Sequence, residues 1–376
     1  MKYKTLDGIE VKGKVVFVRA DLNSELNKGK PFINDRIREH ARTVKELVRK
    51  KARVVVFAHQ GRKGNRDFSS LREHAKLVSK IVKVRFVADV CGDLAQREIS
   101  NLKDGEAILL ENTRFEDSES DSSAESKIVE NLSSLGEVFV SDAFSLVHRD
   151  QASIVGLPKV MKVKCVGRVM QRELENVDKL KVKGGLFILG GAKYEDNILL
   201  LGKGKVITAG VFSLLALMAD GVDLGLESER LKKEKEIIAK LRKSKMTNPV
   251  DLAIKRKGRR RDIVVEGFPQ NSRILDIGIK TIEMYEKEIM KAKRVFWKGS
   301  AGYVEDPDFG LGTKRLMKAM EKSKAFCVIA GGHSSTEVEK YGIRESELGY
   351  VSLSGGALVH YLAGKKLPGL EVLKLK

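Results

Sequence analysis

The sequence predicts an α/β protein of two Rossmann-like lobes, each built on a parallel sheet, joined by a long interdomain helix. Three observations carry that expectation. Short β-branched or apolar runs alternate with helix-period segments along nearly the whole chain, the pattern of parallel strands with crossover helices. Most runs in the second half end in glycine, whereas those in the first half end in polar and basic residues. Between the two series lies a charged stretch with apolar residues at helical spacing, and 376 residues suffice for two domains.

The first series reads as strands over 15–21, 53–59, 84–89, 107–112 and 138–144. Between the first two, Ile37, Ala41, Val44, Leu47 and Val48 recur on one face, predicting a helix over 36–52 with arginine and lysine on the other side. Ser70 with Glu73 and Ser122 with Glu125 have the spacing of capping boxes. Residues 161–182 follow Gly156-Leu157-Pro158 and read as the linking helix, so 1–160 form an N-terminal lobe and 183–356 a C-terminal lobe. Strands of the second lobe are expected over 186–191, 205–210, 262–267, 273–278, 294–299, 326–332 and 350–356. The basic run at 255–261 lies between two β-rich runs with Gly258 in its middle and no interleaved aromatics, so it reads as a solvated hairpin tip.

Composition excludes several classes. The longest uncharged apolar stretch, 206–219, is shorter than the roughly 20 residues that cross a bilayer. The opening MKYKTLDGIE has no apolar run behind it, so a cytoplasmic address with no membrane partner is expected. Cys91, Cys165 and Cys327 are far apart, giving neither a disulfide framework nor a Cys-x-x-Cys site, and no His-Glu-x-x-His pattern occurs. No Gly-x-x-x-x-Gly-Lys-Ser/Thr loop and no Gly-x-Gly-x-x-Gly after a strand are present. The formal charge of +20 favours anionic partners without choosing between phosphates and nucleic acid.

Candidate chemistry sits at the strand ends. Arg19, Asp21 and Asn23 follow the first strand, His59 and Arg62 the second, Arg114 the fourth, and His148 with Arg149 the fifth, while Arg36 opens a helix. Converging on one crevice, they would make a cationic pocket for a small ligand carrying phosphate and carboxylate, because arginine binds such groups bidentately. In the second half Lys193 follows a strand and a glycine pair, where a lysine can follow negative charge as it moves between oxygens. Gly331 and Gly332 precede a helix start with Ser334 and Glu337 at capping-box spacing, which suits a phosphate.

The segments RADLN (19–23), HQGR (59–62), LLENTRF (109–115), SDAFSLVHR (141–149), LGGAK (189–193), WKGSAGYVE (297–305), AGGHSS (330–335) and SLSGGA (352–357) occur in the order of the signatures of phosphoglycerate kinase. The chain resembles that family from about residue 3 to 371. The resemblance implies reversible phosphoryl transfer between 1,3-bisphosphoglycerate and ADP, giving 3-phosphoglycerate and ATP, with Mg2+ accompanying the nucleotide. It implies that Asp21, Asn23, Arg36, His59, Arg62, Arg114 and Arg149 hold the phosphoglycerate. Arg36, Lys193 and Gly332 would be the catalytic groups, and Gly191, Lys193, Asn197, Gly210, Glu305, Gly331, Gly332, His333 and Ser334 would meet the nucleotide. It also implies that 357–376 pack back on the N-terminal lobe, that the lobes close before reaction, and that the protein is a monomer.

Departures from the family pattern fall in the second lobe. His333 stands where the pattern has an Asp that meets the metal, and Asn197 where many members have a second lysine. Lys298 and Ser300 replace an Asn and a Pro, while Ala209 and Ser354 each interrupt a glycine cluster. His333 is not expected to ligate magnesium, which prefers oxygen, and no residue is assigned to the metal. Two alternatives stand beside the kinase reading: a relative with altered specificity or no turnover that keeps the anion pocket, and, less favoured because the charge is dispersed, a basic nucleic-acid-binding protein.

Overall fold

The structure, a computed structural model, describes residues 3–180, 184–331 and 334–375. The chain divides into two units, Met1–Glu175 with Lys366–Lys376, and Asn176–Lys365.

The first unit is built on a six-stranded sheet: β1 Val15–Arg19, β2 Arg53–Phe57, β3 Arg85–Val87, β4 Ala107–Leu110, β5 Val138–Ser141 and β6 Val163–Val166. Their order is β3-β4-β2-β1-β5-β6, and every pair is parallel. Both faces are covered, which is why these strands are near-continuous apolar runs. Successive side chains alternate between two cores. Val16, Val18, Val54, Val56 and Val140 pack with Ile37, Ala41, Val44 and Leu47. Phe17, Val55, Phe57 and Phe139 pack on the other face with Ile99, Ile128 and Leu132. The predicted helix covers Asp35–Arg49, and the Asn34 side chain caps it by accepting from Ile37 N at 3.0 Å. The strand order makes the carboxyl ends of β4, β2, β1 and β5 consecutive, so four loops share one edge.

In the second unit β7 Leu186–Leu189, β8 Lys205–Thr208, β12 Arg294–Lys298, β13 Phe326–Ala330 and β14 Gly349–Ser352 form a parallel sheet ordered β8-β7-β12-β13-β14. Its core gathers Ile188, Ile207, Trp297 and Ile329 with Ile282, Tyr285, Leu316 and Met320 from flanking helices. β9 Asp251–Arg256, β10 Arg259–Val264 and β11 Ile274–Ile277 form a separate antiparallel sheet, so the expected strands near 262–267 and 273–278 lie outside the parallel one. Lys257 and Gly258, both with positive φ, turn the β9–β10 hairpin, and the basic run continues into both strands.

Several expectations are corrected. Residues 161–182 are not one helix: 163–166 add the edge strand β6, and the helix covers Arg168–Leu180. Lys162 and Lys164 disguise the strand in sequence, yet lysine is tolerated on an edge. Gly167 ends it because a Cβ there would lie 2.2 Å from Asp142 Oδ1, the atom that accepts from Val169 N at 2.9 Å and so starts the helix. Neither early capping box forms. Ser70 Oγ donates to Glu111 at 2.6 Å and accepts from Arg72 N, leaving the helix to begin at Arg72. The helix expected near Ser122 begins at Lys127. The returning tail is shorter than 357–376: the helix Gly355–Leu362 belongs to the second unit, where Tyr361 OH donates to Asp178 at 3.0 Å, and the first unit resumes at Lys366. There Gly369 N donates to Val147 O at 2.9 Å, and Leu370 and Leu373 are buried.

Phe17 is fully buried with its ring edge-on to Phe57 at 5.2 Å. Phe17→Ala should cost about 3–5 kcal/mol, the range for deleting a buried aromatic ring. Urea unfolding followed by circular dichroism reads this, and a loss below about 1 kcal/mol would show that the core collapses around the gap.

Candidate active site

At the carboxyl edge of the first sheet the loops interlock before any ligand is considered. Asn23 Oδ1 accepts from Gly61 N at 2.8 Å, joining the loops after β1 and β2. Gly61 has φ +68° and a Cβ there would lie 2.4 Å from Asp67 O, so only glycine fits. Gln60 exchanges two 2.9 Å hydrogen bonds with the Ser24 backbone. Asn112 Nδ2 donates to Gln60 O at 2.8 Å, and Arg114 donates to Gly61 O, bringing in the loop after β4. Arg36 lies 3.2 Å from Asp21 Oδ2 and donates to Asn23 O at 3.0 Å; Ser145, after β5, also donates to Asp21.

These bonds turn guanidinium groups toward one another. Arg62, Arg114 and Arg149 line one side of a cleft of about 320 Å3, whose lining also includes Lys63 and the carboxylates Glu116, Asp117 and Glu119. Burial, then the charges of Arg149, Arg19 and Arg62, pull the Arg114 pKa down to about 10. Arg149 is lowered by burial and by Arg62, and its buried Nε has no hydrogen-bond partner among the described residues. Buried donors are almost always satisfied, so this one marks a place for an acceptor. Burial and then Arg19 hold His59 well below the ordinary histidine value, leaving a neutral imidazole at pH 7. Arg19 Nη2 faces His59 Nδ1 at 3.4 Å; with Nδ1 accepting, the proton sits on Nε2 as a neutral donor. Arg19 itself is no ligand: it is 1% exposed, with Nε donating to Ser153 Oγ at 2.8 Å and Glu119 3.9 Å away.

In the second unit, glycines let two loops cross at atomic contact. A Cβ on Gly190 would lie 2.6 Å from Ser300 O, and one on Gly299 would lie 2.6 Å from Gly190 O. Gly191 N donates to Ser300 O at 2.9 Å, and Gly210 N to Ala301 O at 3.0 Å. Asn197, fully buried, donates from Nδ2 to Gly190 O at 3.1 Å and accepts at Oδ1 from Lys298 Nζ at 3.0 Å. The Lys193 side chain is exposed beside this knot, and its carbonyl accepts from Lys298 Nζ at 3.2 Å. Burial lowers the Lys298 pKa, partly countered by Asp196. Glu305, exposed, lies near Glu337, whose carboxyl is pushed up to about 7 by burial and then by Glu305. Gly331, with φ +158°, ends β13; Gly332 and His333 lie outside the described residues, and Ser334 begins the helix Ser334–Lys340 but its side chain is not described.

One edge thus presents converging arginines, the other a glycine knot with lysines. The profile of phosphoglycerate kinase matches residues 6–365. The chain belongs to the phosphoglycerate kinase family. Phosphoglycerate kinase of Methanothermobacter thermautotrophicus is 38% identical over 99% of this chain and 97% of the relative, and that of Methanothermus fervidus 36% identical over the same shares. The crystal structure of phosphoglycerate kinase from Pyrococcus horikoshii OT3 superposes with a TM-score of 0.90 at 31% identity, covering 98% of both chains. That of Coxiella burnetii gives 0.80 at 28% identity, covering 99% of this chain and 98% of the other. Membership makes this protein a phosphotransferase carrying out the phosphoglycerate kinase reaction, with ATP or ADP and phosphoglycerates as its ligands; the catalytically silent and nucleic-acid-binding alternatives are not favoured. Among the described residues no helix is long and apolar enough to cross a membrane.

Sequence reasoning overlooked the groups that hold the arginines in place. Gln60 stands inside HQGR and Ser145 inside SDAFSLVHR, both within reach of those motifs, whereas Glu119 and Ser153 sit in segments without any period.

Burial opposes ionisation of Asp21, but Arg36 and Ser145 prevail and hold its pKa below the usual carboxylate range. A depressed carboxylate contributes stability that is complete above its unfolded pKa of about 3.9 and is lost as pH falls toward the folded value. Asp21→Asn should therefore lose less stability than wild type between roughly pH 5 and pH 2. Urea titrations at several pH values measure this, and parallel curves would remove the Arg36–Asp21 pair as its cause.

Proposed function

We propose that the cleft of the first unit holds 3-phosphoglycerate through Asp21, Asn23, Arg36, His59, Arg62, Arg114 and Arg149. The observation that carries the reading is the cluster of Arg62, Arg114 and Arg149, in which Asp21 and Glu119 offset burial and mutual repulsion only in part and the buried Nε of Arg149 has no partner among the described residues. The nucleotide is assigned to the second unit, over Gly191, Asn197 and Gly210 and beside Glu305, with Gly331, Gly332, His333 and Ser334 at its phosphates. A 3-phosphoglycerate carboxylate oxygen attacks the γ-phosphorus, the bond to the β,γ-bridging oxygen breaks, and ADP leaves. Both carboxylate and leaving group are already ionised, so no general base is needed. Arg36 and Lys193 stabilise the charge on the moving group, a task of positioning and electrostatics, with the Gly332 amide assigned to the same role.

Magnesium belongs to the same proposal. Among the described residues no three His, Cys, Asp or Glu side chains gather to hold a cation. An ion arriving on the nucleotide, with phosphate oxygens and water as its ligands, suits such a site, and when bound it neutralises phosphate charge. The two ligand sets belong to different units, and near-attack geometry requires reacting atoms roughly 3–3.5 Å apart. Closure of the units on the filled sites, a monomeric state and a cytoplasmic address complete the reading.

A coupled assay with 3-phosphoglycerate and MgATP tests the assignment. Arg149→Ala should weaken 3-phosphoglycerate binding in calorimetry while leaving MgADP affinity near its wild-type value; equal loss of both would move Arg149 out of the substrate cleft. Lys193→Ala should lower kcat by roughly 10² to 10³, by analogy with a lost oxyanion donor. An effect confined to the KM for nucleotide would refute its role at the transferring group.

A further inference from the structure

The departures at positions 197 and 298 meet in space. The family pattern places a lysine at the first position in many members and an asparagine at the second; this chain has Asn197 and Lys298, and the two side chains meet at 3.0 Å. Sequence separates them by a hundred residues, yet Lys298 pairs with Leu189 across neighbouring strands, so its side chain rises beneath the loop Gly190–Lys193.

We propose that Lys298 is the second phosphate-facing cation of the nucleotide site, taking the charge that position 197 has given up. This rests on the assignment of the nucleotide to the glycine knot. Asn197 cannot supply charge, and its amide is fixed: Nδ2 donates to Gly190 O and Oδ1 accepts from the ammonium. Two of the three Lys298 N–H groups are thereby engaged, by Asn197 Oδ1 and Lys193 O. The third side faces Asp196 Oδ2 at 3.7 Å, beyond hydrogen-bond range. The other oxygen of that carboxylate lies 3.4 Å from His360 Nε2. A phosphate oxygen settling over Gly190 and Gly191 would compete with Asp196 for the ammonium. Lysine suits that competition, being a compact charge whose donors rotate toward whichever oxygen is present. A purely structural role is poorly served by the same residue, since 8% exposure imposes the desolvation of an ammonium where a neutral side chain would pack without it.

The test is the exchange itself. Lys298→Asn and Lys298→Met are compared with the double variant Asn197→Lys/Lys298→Asn, which restores the family arrangement. We expect each single variant to lower kcat by about 10² and to weaken MgADP binding in calorimetry, with 3-phosphoglycerate affinity unchanged. The double variant should recover most of both losses. Thermal unfolding of each protein separates loss of fold from loss of charge, and Lys298→Met keeps the length of the side chain where Lys298→Asn shortens it. Turnover and MgADP affinity within threefold of wild type in folded Lys298→Met, or a folded double variant no better than the single ones, would overturn the proposal. If the wild type itself failed to turn over, the kinase reading would fall, and MgADP affinity alone would still decide for or against Lys298.

Discussion

Repulsion between guanidinium groups gathered along one edge of a parallel sheet is the constraint that shapes the first unit. Burial and the charges of neighbouring guanidinium groups lower the pKa values of Arg19, Arg114 and Arg149, with Arg62 among the charges that act on the last two, and each of the four follows or ends a different strand. Such a cluster persists only if the surrounding backbone over-determines it. The bonds from Asn23 to Gly61, Gln60 to Ser24, Asn112 to Gln60 and Arg114 to Gly61 do this through atoms that carry no charge. Buried Glu119 and Asp21 supply the compensating charge from beneath and beside. On the proposed assignment the substrate's own negative charge adds to theirs.

The second unit meets the opposite problem. There, on the proposed assignment, the backbone itself approaches the ligand, so side chains are removed instead of braced. Gly190 and Gly299 touch at distances no Cβ would permit, and the ammonium of Lys298 donates to the Lys193 carbonyl beside them. Charge enters this site from two strand ends, those before Lys193 and at Lys298, whereas in the first unit it enters from four.

Arg62, Arg114 and Arg149 were legible in the sequence because each follows a short apolar run, and the order of those runs in the sheet does the rest. Arg19 has the same sequence position and a different fate: the last residue of a fully buried strand, it turns inward to Ser153. No local pattern distinguishes the two. No reciprocal box with Glu73 forms at Ser70, because the distant Glu111 accepts both from the Ser70 hydroxyl and from Leu71 N at the helix start, and β6 resembles helix in sequence because edge lysines break its apolar alternation. The glycines of the second unit announced themselves individually, but their mutual contact and the meeting of Asn197 with Lys298 depend on strands that are neighbours only in space.

The closing segment of the first unit has a consequence for biosynthesis. Tyr3 bridges to Lys374, and Gly369 packs against Val147 and Ile154 with no room for a Cβ, its ideal position lying 2.9 Å from the Ile154 side chain. These partners leave the ribosome on either side of the whole second unit, Asn176–Lys365. At roughly 5–20 residues per second, that interval is on the order of ten to forty seconds. Until it ends the nascent first unit presents the surface around Val147 and Ile154 uncovered, and by then the second unit has all of its own chain. The unit that begins translation first is therefore the one completed last, and its exposed seam is the natural point at which a chaperone or a protease would meet the growing chain.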